Sequence, residues 1–167
     1  MSLAYKAMVF AREVHKDQVR KYTGNAYTDH LGEVAGIVAT VSNNYKFSEE
    51  MIAIAWLHDS IEDQGILYKD LVNEFGLAIA SGVLQLSDLE QGNRAERKAL
   101  SRERLSKAPE WVQTIKYADL ISNTSSIVKH DAEFAQVYLE EKRLLLEVMD
   151  RGNPLLYSLA KELSNKL

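Results

Sequence analysis

The sequence predicts an all-α protein, a compact helical bundle. Three observations carry that expectation. Apolar residues recur at helical spacing along most of the chain, no alternating strand is accompanied by a hairpin turn, and only two prolines interrupt 167 residues.

The elements follow in order. Leu3, Ala7, Met8, Phe10, Ala11 and Val14 form an apolar stripe, so a first helix is expected to end near Gln18. Gly24 and Asn25, inside RKYTGNAYTD, break it. A second helix is expected over 30–42, stopped by Asn43 and Asn44. Ser48 offers a capping hydroxyl, and Glu49 and Glu50 add carboxylates that suit the positive end of a helix. That third helix is expected to reach Asp63, with Gly65 just beyond as its stop.

Residues 67–75 read as a short helix closed by Gly76, and 77–89 as another. EQGN at 90–93 is a loop before a charged helix at 94–106. Pro109 suits the first turn of a helix running to about Lys129. Asp131 caps a helix reaching Arg151, where Gly152 stops it, and Asn153 with Pro154 begins the last. AGIVATV is rich in strand formers but has no partner strand.

Composition narrows the function classes. The length suits one domain with a sizeable core. A net charge of −4 argues against a general nucleic-acid binder, though a local basic patch for a small phosphorylated ligand remains compatible with it. With no cysteine there is neither a disulfide framework nor a thiolate metal site. No run approaches the roughly 20 apolar residues of a membrane span. The N-terminal stretch lacks a signal-peptide core, so a cytoplasmic protein is expected.

The chemistry gathers in YTDHL, WLHDSIED and YADLISN. The middle stretch places His58, Asp59, Glu62 and Asp63 directly after an apolar run. At about 100° per residue their side chains leave one side of a helix, and Asp119, Asn123 and Ser126 share a stripe on another. Such stripes on isolated helices are usually solvated faces. Here the flanks are apolar all round, which marks central helices, and inward polar stripes then need neutralising. Imidazole nitrogen and carboxylate oxygen suit a borderline or hard divalent cation.

The order His30, then His58-Asp59, then Asp119 resembles the H…HD…D pattern of the HD-domain metal-dependent phosphohydrolases. VHKDQVRKYTGNAYTDHLGEVAGI, AIAWLHDSIED and IKYADLISN are similar to the hydrolase domain of the RelA/SpoT enzymes and to the MESH1-like small alarmone hydrolases. The resemblance covers roughly residues 4 to 130 and extends in principle to one HD-type domain over 1–167. It implies an all-α hydrolase that binds one Mn²⁺ and cleaves (p)ppGpp at the 3′-diphosphate, giving GDP or GTP and pyrophosphate. Carried over residue by residue, it implies His30, His58, Asp59 and Asp119 as metal ligands and Glu62 and Asp63 as the catalytic pair. It implies Arg20 and Lys21 at the guanine base, Asn123 on the substrate side, and Lys98 toward phosphate. The ligand types alone also admit Fe²⁺, Zn²⁺ or Mg²⁺.

The chain departs from the family pattern at four places. Leu31 and Ala26 stand where prolines are usual, and Leu120 and Ser125 where basic residues are common. The last two bear on substrate identity. An HD phosphohydrolase for another nucleotide, a non-catalytic nucleotide sensor and an all-α interaction module therefore stand as alternatives, and a homo-oligomer is left open. Arg94, Arg97, Lys98, Arg102 and Arg104, with Glu96 and Glu103, read either as an exposed salt-bridged helix or as positive charge for a diphosphate. His15 and His130 read as ordinary surface or helix-end histidines, and Tyr27 as packing.

Overall fold

Helix-end chemistry organises the chain, and the computed structural model describes residues 1–165; residues 166 and 167 of the expected domain lie outside them. The protein is all-α. Among the described residues the one extended pairing is an isolated antiparallel bridge between Val19 and Ala26. The chain divides into two compact units, Met1–Ser87 and Asp88–Leu167.

The first unit contains α1 (Leu3–Val14), α2 (Thr28–Ala39), a 3-10 turn at Ser42–Asn44, α3 (Ser48–Leu57), α4 (Ser60–Gln64), α5 (Tyr68–Phe75) and α6 (Leu77–Leu86). Helix α3 is its centre and packs on α1, α2 and α6. Met51, Ala53, Ile54, Ala55 and Leu57 are all fully buried, because a helix that is apolar all round has no face to give to water. Gly32 lets α2 approach this helix: a Cβ there would stand 3.1 Å from the Trp56 ring.

Two expectations are corrected in this unit. Ser48 does not cap α3; Phe47 holds the cap position, and the Ser48 hydroxyl donates to Ser42 Oγ at 2.9 Å. Glu49 instead turns to α1, where its carboxylate accepts from the backbone N–H of Leu3 at 2.7 Å and of Ala4 at 3.4 Å. A carboxylate there complements a helix N-terminus as well as a local cap would. The third helix also stops earlier than expected. It breaks at His58-Asp59, Ser60 Oγ donates back to Leu57 O at 2.7 Å, and α4 follows as a separate turn ending at left-handed Gly65.

The second unit contains α7 (Arg94–Ser106), α8 (Glu110–His130), α9 (Ala132–Val148) and α10 (Pro154–Ser164). Asn93 and Glu96 form a reciprocal capping box on α7. Pro109 precedes α8, Asp131 caps α9 through Phe134 N at 3.0 Å, and Asn153 caps α10 ahead of Pro154 at its first position. Helix α9 ends at Val148, short of the expected Arg151. Helix α8 packs on α9 and α10 with Tyr117 fully buried, its hydroxyl donating to Met149 O at 2.5 Å.

Candidate active site

In the first unit three side chains converge. His30 comes from the first turn of α2, and His58 and Asp59 from the break between α3 and α4. All three are buried. His58 Nδ1 lies 2.7 Å from Ala55 O, which assigns the ring proton to Nδ1 and leaves Nε2 with a lone pair. That Nε2 stands 3.1 Å from Asp59 Oδ2, and His30 Nε2 stands 3.6 Å from the same oxygen. One potential ligand atom from each of the three lies within 4.8 Å of the others. The His58 lone pair and the Asp59 carboxylate charge thus meet in a buried spot beside His30 Nε2, an arrangement relieved by a cation. The donor set of two imidazoles and a carboxylate fits a divalent transition metal.

The break in the helix makes this possible. A continuous helix through 58–63 would hold both residues in its own hydrogen-bond ladder. The break instead sets His58 and Asp59 at an end, with Asp59 at φ −98° and ψ 1°.

Glu62 and Asp63 follow on α4 and are exposed as residues. The Asp63 carboxylate is nevertheless crowded by protein on one side. Burial pushes its pKa above the ordinary carboxylate value and the charge of Asp59 adds to that, while hydrogen bonds from Gln18 and Tyr27 and the nearby His15 pull back only in part. Arg20 and Lys21 occupy the turn between α1 and α2. Arg20 N donates to Asn25 O at 2.8 Å, and the Lys21 ammonium lies 5.1 Å from the Tyr22 ring centroid.

The other expected residues belong to the second unit. Asp119 is buried on α8; Lys116 Nζ lies 2.8 Å from its Oδ2, and Asn123 Nδ2 donates to its Oδ1 at 3.0 Å. Asn123, expected on the substrate side, therefore also holds an expected ligand in place. Lys98 Nζ lies 4.0 Å from Asp88 Oδ2. On α7, Arg94 grips Glu141 with two hydrogen bonds of 2.7 and 2.9 Å, and Arg104 grips Glu90 and Asp88 at 2.6 and 2.5 Å. For those two arginines the salt-bridged reading of the helix holds. Leu120 is buried, and Ser125 Oγ donates to Ile121 O at 3.2 Å.

Sequence reasoning missed three residues. Tyr27 is more than packing: its hydroxyl donates to Asp59 Oδ2 at 2.7 Å. His15 lies at a helix end, as one reading had it, but is 1% exposed rather than at the surface. Lys142 is also buried, its ammonium donating to Leu120 O at 2.5 Å and to Thr124 Oγ1, above the Tyr138 ring. Burial holds the Lys142 pKa well below the ordinary lysine value, against the opposing pull of Asp119. The available signal for Lys142 was its place three residues after Leu139 and four before Leu146, on the apolar stripe of α9.

Comparison with known proteins agrees with this architecture. The chain is 32% identical over 162 residues to a GTP pyrophosphokinase rsh from Brucella melitensis, an alignment covering 92% of this chain and 20% of that protein. It is 32% identical over 102 residues to the bifunctional (p)ppGpp synthase/hydrolase SpoT of Escherichia coli, covering 61% of this chain and 14% of that protein. The chain thus spans a fifth or less of these two curated relatives. A solved structure described as a metazoan ortholog of SpoT that hydrolyzes ppGpp and plays a role in starvation responses matches with a TM-score of 0.88 at 22% identity, over 98% of this chain and 94% of that one. The structure of lmo0812 from Listeria monocytogenes matches with a TM-score of 0.69 at 21% identity, over 86% and 96%. Residues 7–143, from within α1 to within α9, match the HD-domain family, and the chain belongs to that family.

Proposed function

We propose that the chain is a metal-dependent hydrolase of (p)ppGpp, cleaving the 3′-diphosphate to give GDP or GTP and pyrophosphate, and that residues 1–167 act as one HD-type domain. The observation that carries the reading is the buried convergence of His30 Nε2, His58 Nε2 and Asp59 Oδ2. The family match and the two curated relatives support it.

In this reading His30, His58, Asp59 and Asp119 hold one divalent cation, Mn²⁺ by family resemblance. Such a cation supplies positive charge that acidifies water and neutralises a phosphoryl oxygen. The chain's own residues do the rest. Glu62 and Asp63, one turn past the ligands, receive the proton of the attacking water; the raised pKa of Asp63 favours that role. The water oxygen bonds to the phosphorus as the bond between O3′ and that phosphorus breaks, and the proton taken up by the carboxylate passes to O3′, which leaves as a hydroxyl. The Arg20 guanidinium stacks on the guanine, Lys21 adds a point charge, and Lys98 and Asn123 face the substrate's polar groups. Among the described residues no helix is long and apolar enough to cross a membrane, in keeping with a proposed cytoplasmic setting.

A second reading rests on Leu120 and Ser125, which leave two places without the positive charge usual in alarmone hydrolases. It keeps the metal site and assigns a different nucleotide. One experiment separates the two: turnover of ppGpp and a panel of simple nucleotides by the purified chain, with and without Mn²⁺, beside Asp59→Ala. The main reading expects Mn²⁺-dependent pyrophosphate release that the variant abolishes. Faster turnover of another nucleotide selects the second reading, and binding without product selects a sensor.

A further inference from the structure

We propose that His15 and Gln18 form a hydrogen-bonded strut that positions the Asp63 carboxylate for catalysis. The inference rests on the proposed role of Asp63 and adds two positioning residues to it.

The geometry assigns every donor along the strut. Gln18 Nε2 donates to Asp63 Oδ2 at 3.0 Å. A carboxylate oxygen accepts, so the NH₂ of Gln18 must face Asp63 and its carbonyl must face the other way. That carbonyl accepts from Gln64 Nε2 at 2.8 Å and lies 2.6 Å from His15 Nδ1. An amide oxygen cannot donate, so the His15 proton sits on Nδ1. His15 Nε2 is then a buried acceptor with no hydrogen-bond partner among the described residues.

That arrangement is expensive if His15 only fills space. A leucine or phenylalanine would occupy a site 1% exposed without leaving a nitrogen unsatisfied. The polarity of His15 is used on one side only, the side that leads through Gln18 to Asp63. Its ring also stacks on Tyr27, with centroids 5.5 Å apart and planes 25° from parallel, and the Tyr27 hydroxyl reaches Asp59. One buried ring therefore backs both Asp63 and the donor to a proposed metal ligand.

Asp63 needs such support. It lies on α4, a helix of five residues after the break at His58-Asp59, with no side-chain cap at its start. Its residue is exposed, and without Gln18 the hydrogen bond from Tyr27 is left to hold the carboxylate against turning to solvent. A proton acceptor that is present but not held loses rate rather than substrate affinity.

The test compares His15→Phe, which keeps ring and stacking but removes the donor, with His15→Asn, which restores an N–H close to Nδ1. Gln18→Leu cuts the strut in the middle, and Asp63→Asn supplies the reference. The inference expects His15→Phe and Gln18→Leu to lower kcat at least about tenfold with KM nearly unchanged, and His15→Asn to recover much of the loss. It also expects no further loss when either change is added to Asp63→Asn, because residues acting as one unit are not additive. Equal loss in His15→Phe and His15→Asn, or losses that multiply with Asp63→Asn, would overturn it.

A measurement independent of turnover keeps the strut separate from the proposed function. The ¹⁵N spectrum of the wild-type His15 ring should show the Nδ1–H tautomer, and Gln18→Leu should lose that preference. An Nε2–H tautomer in the wild type sinks the strut even where ppGpp is hydrolysed. A correct tautomer with no effect of Asp63→Asn on kcat defeats the strut's catalytic purpose together with the Asp63 assignment, and leaves the metal site standing.

Discussion

Gly152, in the turn between α9 and α10, should tolerate no side chain. A Cβ built there would lie 2.4 Å from Tyr117 Cε2, 2.9 Å from Tyr117 Cζ and 2.9 Å from the backbone nitrogen of Thr114. Carbon atoms in contact prefer about 3.5–4.0 Å, so something must move by roughly 1 Å. Thr114 N is part of the α8 backbone and cannot give. Tyr117 is fully buried, and its hydroxyl both donates to Met149 O at 2.5 Å and accepts from Gly152 N at 3.1 Å, so the ring is anchored through its hydroxyl and enclosed by packing. Overpacking of this kind costs about 1–3 kcal/mol. Losing both Tyr117 bonds adds about 1 kcal/mol each. Gly152→Ala should therefore destabilise the protein by about 3–5 kcal/mol, which at this chain length is about 6–20 °C in Tm. Urea and thermal unfolding followed by circular dichroism would read it. Combining it with Tyr117→Leu should cost less than the two changes taken separately, since the second removes the obstacle to the first. A loss below about 1 kcal/mol, or strict additivity with Tyr117→Leu, would refute the argument that the ring is the barrier.

Two further outcomes follow from buried polar groups. Lys142→Met should leave the protein as stable at pH 7 or raise stability by up to a few kcal/mol, because a buried ammonium is exchanged for an apolar chain of similar length. Thr124 Oγ1 still donates to Leu120 O at 2.6 Å, so neither former acceptor is left unpaired. The sign with pH is fixed: the folded pKa of Lys142 is below its unfolded value, so folding releases a proton between the two and wild-type stability rises with pH across that window. The Met variant should lack that rise, as chemical unfolding at a series of pH values would show; a variant markedly less stable than the wild type counts against the reasoning. Tyr27→Phe removes the 2.7 Å donor to Asp59 Oδ2 and should weaken Mn²⁺ binding by about tenfold or more by titration calorimetry. A dissociation constant within twofold of wild type would remove Tyr27 from the proposed metal site.

Much of the architecture was legible in local signals. Pro109, Asp131 and Asn153-Pro154 mark where helices begin, and Gly65 and Gly76 where they end, because caps and special backbone angles act within one turn of the residues that cause them. The all-apolar run of α3 announced a central helix for the same kind of reason: its whole circumference has to leave water. His30, His58 and Asp59 were picked out together by the resemblance of their order to the H…HD…D pattern, and their side chains meet where α2 packs against α3 and the break that follows it.

Tertiary structure decided what lay between those marks. Glu49 reads as a local helix-start carboxylate, yet its partners are forty-odd residues away on α1. The helix expected through Asp63 is interrupted at His58 and Asp59, two of the proposed metal ligands. His15, Gln18 and Tyr27 look like a helix end and a loop, and only the approach of that segment to α4 turns them toward Asp63 and Asp59. Lys142 looks like one more lysine in a charged helix, and packing closes over it. The physical reason is common to all four. Periodicity and capping are set by neighbours along the chain, whereas burial and hydrogen-bond partners are set by whichever distant segment arrives, and the sequence determines the first directly and the second only through the completed fold.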